Sequence, residues 1–116
     1  MKNVLITGVT RGLGLAIASR LASDGYSVIG VGRTITPEFE SLRDRMKKGQ
    51  VGFQAYDLNE LSGIPTLISS ITKDIGPLYG LVNNAAIGLD GVLATMHVTD
   101  ISRVLRVNLE APILFC

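Results

Sequence analysis

Cysteine occurs once, at Cys116, and histidine once, at His97. One thiol cannot close an internal disulfide, so nothing in the sequence points to an oxidising compartment. One imidazole with no Cys/His partner at ligand spacing gives no metal centre, and no Ser/His/Asp arrangement suggests nucleophilic hydrolysis. Cys116 and His97 are therefore expected to be ordinary residues without chemistry. Tryptophan is absent, and the net charge of +1 removes the electrostatic motive for binding nucleic acid or an anionic membrane. No apolar run approaches the roughly 20 residues that span a bilayer, and the few between Asn3 and Thr7 are too short for a secretory h-region. The expected location is cytoplasmic. Repeats, low-complexity tracts and Pro/Gly/Ser-rich linkers are missing as well, which leaves residues 1–116 as one unit.

What is abundant is glycine, with 13 residues, and apolar side chains, at 47%, enough for one buried core. The glycines concentrate where they can do most. Val4-Leu5-Ile6 leads into Thr7-Gly8-Val9-Thr10-Arg11-Gly12-Leu13-Gly14, and Leu15-Ala16-Ile17-Ala18 continues with helical spacing. Strand, glycine turn and helix in that order form a site for a dinucleotide pyrophosphate, because a helix start presents N–H groups and partial positive charge to phosphate oxygens. Gly8 suits a sharp turn off the strand, Gly12 a close approach of backbone to phosphate, and Gly14 close helix–sheet packing. The spacing is T-G-x-x-x-G-x-G rather than the commoner G-x-G-x-x-G. Gly30-Val31-Gly32 does not supply a second start, since Ile35 stands where the third glycine belongs.

Taken in order, the pattern predicts strands over Asn3–Thr7, Tyr26–Gly32, Val51–Tyr56 and Leu78–Asn83. Helices are predicted over Gly12–Ser23, with Leu13, Ile17 and Leu21 on one face, and from Pro37 to about Lys48. The latter is capped by Thr36 and carries Phe39, Leu42 and Met46 inward. A third helix is expected over Leu61–Ile75, stopped by Gly76-Pro77. After a loop containing Gly88 and Gly91, Thr99-Asp100 would cap a last helix with Ile101, Val104, Leu105, Val107 and Leu109. Alternation of this kind implies an α/β, Rossmann-type, doubly wound parallel sheet in strand order 3-2-1-4. A sheet ending at its fourth strand leaves an apolar edge, and Ile113, Leu114 and Phe115 add apolar surface beyond it. The expectation is a partner: a second copy, or a complementary C-terminal half.

Several positions carry chemistry. After the second strand many dinucleotide folds place an acid that accepts from the ribose hydroxyls, but here Gly32 is followed by Arg33 and Thr34. A guanidinium at that corner suits the extra 2′-phosphate of NADP(H), and Arg11 in the glycine loop approaches the same corner. NADP(H) is favoured over NAD(H), although either arginine is also readable as a solvated surface charge. Asp57-Leu58 follows the third strand at the end where ligands gather. With Asn59-Glu60 behind it, Asp57 is equally readable as the cap of the next helix. Asn83-Asn84-Ala85-Ala86 ends the fourth strand, and two adjacent amides there demand backbone partners, since a buried unsatisfied amide costs about 1–3 kcal/mol. Asn108 lies in Val107-Asn108-Leu109, where a short amide is a poor helix former. Pro112 just beyond it removes an N–H and loosens the preceding turn.

These motifs, Thr7-Gly8-x-x-x-Gly12-x-Gly14, Asp57-Leu58, Asn83-Asn84-Ala85-Ala86 and Val107-Asn108-Leu109, resemble the short-chain dehydrogenase/reductase family along the whole chain. Around Asn83 and Asn108 the look is that of 3-oxoacyl-carrier-protein reductases and related carbonyl reductases. Ala86 departs from the family's N-N-A-G. The resemblance implies cofactor contacts from Gly8, Thr10, Arg11, Gly12, Leu13, Gly14, Arg33, Thr34, Asp57, Leu58, Asn84, Ala85 and Ala86. It also implies a catalytic role for Asn108, through a local backbone irregularity that holds a water leading to the active-site lysine. Asp57 would accept from the adenine amino group while Leu58 packs beside the ring.

The family reduces carbonyls with a serine and a Tyr-x-x-x-Lys pair, the lysine making the phenol useful near neutrality. Four residues beyond Tyr26, Tyr56 and Tyr79 stand Gly30, Glu60 and Asn83, none of them lysine. The resemblance thus implies the cofactor-binding half of an NADP(H)-dependent carbonyl/alcohol oxidoreductase of a small-molecule substrate, truncated before the remaining strands, lacking the catalytic half and inactive alone. The alternative is a catalytically silent dinucleotide-binding or assembly module. An unrelated Rossmann methyltransferase is disfavoured by Arg33 in place of a ribose-binding acid.

Overall fold

The computed structural model describes residues 2–85, 99, 102 and 105–115. Its centre is a four-stranded parallel sheet in the order β3-β2-β1-β4, built from β1 (Asn3–Thr7), β2 (Ser27–Gly32), β3 (Val51–Ala55) and β4 (Leu78–Val82). The strands alternate with α1 (Gly12–Ser23), α2 (Pro37–Arg45) and α3 (Ile64–Ile75), as the alternating pattern predicts. Both faces of the sheet are covered, so the β1 run is buried on both sides. Val4 and Ile6 join Val28, Phe39 and Leu42 in one apolar cluster. Leu5 joins Ile29, Val31, Leu58, Ile64, Leu67 and Val107 in the other.

On α1 the structure bears out the close helix–sheet packing read for Gly14 and keeps Ile17 and Leu21 against the core cluster, but turns Leu13 outward. Gly14, Ala18 and Ala22 are buried, whereas Leu13 is 69% exposed and Ile17 and Leu21 are half-buried. Small residues at i, i+4 and i+8 let the helix axis approach the sheet more closely than leucines would, so close approach overrides hydrophobicity in choosing the face. A Cβ added at Gly14 would fall on the Gly8 carbonyl oxygen. Helix α2 begins as expected, with the Thr36 hydroxyl oxygen accepting from Phe39 N–H at 3.3 Å. It ends earlier, at Arg45, because Met46 turns to extended backbone. The third helix opens as a 3₁₀ turn, Leu61–Gly63, before α3 proper, whose first turn holds Pro65.

Polar tethers fix the strand ends away from the cleft. The buried Gln50 amide donates to the carbonyls of Ala22 at 2.7 Å and Tyr26 at 2.9 Å, joining the end of α1 to the start of β2. Asn3 Nδ2 donates to the Ile75 and Pro77 carbonyls at 3.0 and 3.2 Å, closing the α3–β4 turn.

Arg106–Glu110 form a π-helical turn, in which Ala111 N–H donates to the Arg106 carbonyl, followed by α4 (Ala111–Phe115). Pro112 has no N–H to give the Asn108 carbonyl, so the ordinary i→i−4 bond cannot form at that step, directly after the widened turn. Leu105, Leu109, Ile113 and Leu114 are exposed on this segment. Ala86, Gly88, Gly91, His97, Asp100, Ile101, Val104 and Cys116 lie outside the described residues. No helix of the described residues is long and apolar enough to cross a membrane.

Candidate functional site

A cleft of about 510 Å³ opens over the carboxyl ends of the strands, where open parallel sheets gather ligands. Its floor is the glycine turn. Gly8 has φ +66°, and a Cβ there would sit 2.7 Å from Ala85 Cα. Only glycine serves at that position, on both conformational and steric grounds.

The turn is stitched to the end of β4. The hydroxyl oxygen of Thr7, a 2%-exposed side chain, accepts the N–H groups of Asn84 at 3.1 Å and Ala85 at 3.0 Å. The Asn84 side-chain amide donates to the Gly8 carbonyl at 3.0 Å. This answers where the second of the adjacent amides finds its backbone partner.

Helix α1 begins beside the cleft with no side-chain cap and no acidic residue in its first turn. Helix α2, by contrast, has the Thr36 cap and Glu38 and Glu40 in its first turn. The partial positive charge of α1's start is thus uncompensated by its own sequence. Arg11, the residue preceding the helix, and Arg33, following β2, both line the cleft, and among the described residues neither is held in an ion pair. Two cations and a bare helix start against one carboxylate, Asp57, make a recess suited to a polyanion.

The cleft brings together Gly8, Thr10, Arg11, Arg33, Thr34, Asp57, Leu58, Asn84 and Ala85. Gly12, Leu13 and Gly14 belong to the adjoining first turn of α1 but do not line the cleft, and Asn108 sits on the π-turn one residue from Val107, which does. Ala86 lies outside the described residues. Asp57 is used in a cap-like manner too: its Oδ1 accepts Asn59 N–H at 2.9 Å, so the capping geometry coexists with exposure to the cleft.

Sequence reasoning missed Thr36 and Tyr56 as wall residues. The Thr36 hydroxyl donates to the Thr10 carbonyl at 2.6 Å, tying the glycine loop to α2. The Tyr56 hydroxyl donates to the Glu60 carbonyl. Partial burial, reinforced by the neighbouring Glu60 carboxylate, raises this phenol above its ordinary pKa. Its position immediately before Asp57-Leu58 was the available signal. Among the described residues no three His, Cys, Asp or Glu side chains group as metal ligands.

Comparison with known proteins places these features in context. The sequence model of the family described as short chain dehydrogenase matches residues 2–116. Ketoacyl reductase HetN of a Nostoc species is 30% identical over 95% of this chain and 39% of the relative. The 3-oxoacyl-(acyl-carrier-protein) reductase FabG of Haemophilus influenzae is 35% identical over 95% of this chain and 45% of its own length. The chain therefore spans less than half the length of these curated relatives. A metagenomic short-chain oxidoreductase solved in complex with NADP superposes with TM-score 0.89 at 30% identity, covering 98% of this chain and 52% of that one. A Serratia marcescens short-chain dehydrogenase/reductase mutant gives TM-score 0.88 at 26% identity, over 98% and 47%.

Proposed function

This chain belongs to the short-chain dehydrogenase family, and we propose that it binds NADP(H) as the cofactor-binding part of a carbonyl/alcohol oxidoreductase. The observation carrying this reading is the pairing of an uncapped α1 start with Arg11 and Arg33 around one cleft. The donor set fits the cofactor: backbone N–H groups at the Gly12–Gly14 turn for the diphosphate, and guanidinium forks for a 2′-phosphate. Thr34 beside Arg33 adds a hydroxyl to the cleft wall, and Leu13, exposed on the adjoining first turn of α1, is assigned as an apolar contact. Asp57 would accept from the base and Leu58 would pack against it, with Asn84 and Ala85 on the ribose side of the same cleft. When bound, NADPH supplies a hydride to a carbonyl carbon. NAD(H) is disfavoured because no acid follows β2 to accept from a free ribose diol.

Asn108 is the one residue here that we assign to the catalytic group, where its π-turn backbone orients a water toward the lysine of the complete enzyme. Within these 116 residues no tyrosine is followed four positions later by lysine. We therefore read the chain as inactive by itself, acting with a complementary C-terminal half or in a homo-oligomer, in the cytoplasm. A catalytically silent nucleotide-binding module is the second reading, favoured by the same missing pair. NADPH oxidation measured with a panel of small ketones, with and without an added C-terminal half of a relative, separates them. Turnover only in the mixture supports the oxidoreductase; binding without turnover in either supports the silent module.

A further inference from the structure

Two sequence-distant segments form one wall of the cleft. The first is the turn at 57–60. Asp57 Oδ1 accepts from Asn59 N–H at 2.9 Å, the Asp57 carbonyl accepts from Glu60 N–H at 2.9 Å, and Tyr56 N–H is anchored on the Gly32 carbonyl at 2.8 Å. The second is the π-turn 106–110. Leu58 and Val107 both line the cleft and both belong to the same buried cluster. A polar link runs across them: the Arg106 Nε–H donates to Asn59 Oδ1 at 2.6 Å, between residues 47 positions apart and partly buried.

A π-turn is a rare, single-turn widening of a helix that is frequent at functional sites. Here Val107 and Ala111 pack into the core beneath the turn, and Asn59 adds a side-chain hydrogen bond to Arg106 at its first residue. We propose that the Arg106–Asn59 hydrogen bond couples occupancy of the cleft at Asp57 and Leu58 to the placement of the turn carrying Asn108, making Arg106 a positioning residue. A base seated on Leu58 holds the 57–60 turn, Asn59 holds Arg106, and Arg106 holds the backbone on which Asn108 stands. The inference rests on reading the cleft as a nucleotide site.

The test is amide hydrogen exchange by mass spectrometry on the full chain with and without NADPH, following peptides over 8–14 and 105–111. Wild type is expected to gain protection in both. Arg106→Leu is expected to keep the gain at 8–14 and lose it at 105–111. Asn59→Asp, which preserves the acceptor, should retain it. Asn59→Ala removes only the acceptor and repeats the experiment should Arg106→Leu fail to fold. NADPH-dependent protection of 105–111 surviving in Asn59→Ala and Arg106→Leu overturns the coupling, as does wild-type protection confined to 8–14. Protection in neither segment of folded wild type overturns the nucleotide reading and the coupling with it.

Discussion

The Asn84 side-chain amide lies 3.0 Å from the Gly8 carbonyl oxygen, across 76 residues of sequence. That bond joins the glycine turn to the end of β4, and it brings Asn84 close to the α1 backbone at Gly14. A Cβ at Gly14 would fall on the Gly8 carbonyl oxygen and 2.6 Å from Asn84 Nδ2. Gly14→Ala should therefore destabilise the fold by about 1–3 kcal/mol, the range for forcing extra atoms into packed structure. Urea unfolding measures this, and an unchanged midpoint would contradict the packing described.

Thr7 makes a second, chemically distinct prediction. Its hydroxyl oxygen accepts two backbone N–H groups, from Asn84 and Ala85. Thr7→Val keeps the shape and strands both donors, at a cost of about 1–3 kcal/mol for each that water does not reach. Thr7→Ser should stay close to wild type. Equal stability of the valine and serine variants would show that the hydroxyl is dispensable.

Tyr56 links stability to alkaline pH. Its folded pKa is raised, by burial first and by Glu60 second, so the folded state holds the phenolic proton more tightly than the unfolded chain. The resulting stabilisation is fully present below the unfolded value of about 10 and is lost as pH rises through the folded pKa. Tyr56→Phe should flatten that alkaline decline. It should also cost about 0.5–1.5 kcal/mol at neutral pH through the lost bond to the Glu60 carbonyl. Thermal melts between neutral and strongly alkaline pH read both effects.

Arg33 tests cofactor choice. Arg33→Ala should weaken NADPH binding by roughly tenfold to a hundredfold, the worth of a charge-assisted hydrogen bond of about 1.5–3 kcal/mol, and leave NADH almost unaffected. Competition titrations with the two cofactors give the ratio directly. Equal losses for both would assign Arg33 to a general electrostatic role.

Much of this architecture was legible in the residues because local chemistry and long-range packing agree. The β1 run, the Thr36-Pro37 start and the Gly76-Pro77 stop each have one natural reading, and the sheet order follows from their alternation. The inner face of α1 was legible at Gly14, read as the point of close helix–sheet packing, but not at Leu13. Leu13 outranks Gly14 in hydrophobicity, yet what decides the face is the distance at which α1 approaches the Gly8 carbonyl, a property of two segments together. The π-turn was only half visible: Pro112 announces a disturbed helix, but not that Ala111 bonds back to Arg106. Arg106–Asn59 and Thr36–Thr10 left no trace in spacing, since each joins segments whose proximity depends on the finished sheet.

If a phosphorylated dinucleotide is held between the opening of α1 and the two cleft arginines, its 2′-phosphate must contribute to binding. Isothermal titration calorimetry of the folded chain with NADPH, and separately with NADH, tests it most directly. A saturable one-site isotherm is expected for NADPH, with distinctly weaker binding of NADH. Absence of heat with NADPH across a range of temperatures, in protein shown by circular dichroism to be folded, would contradict it.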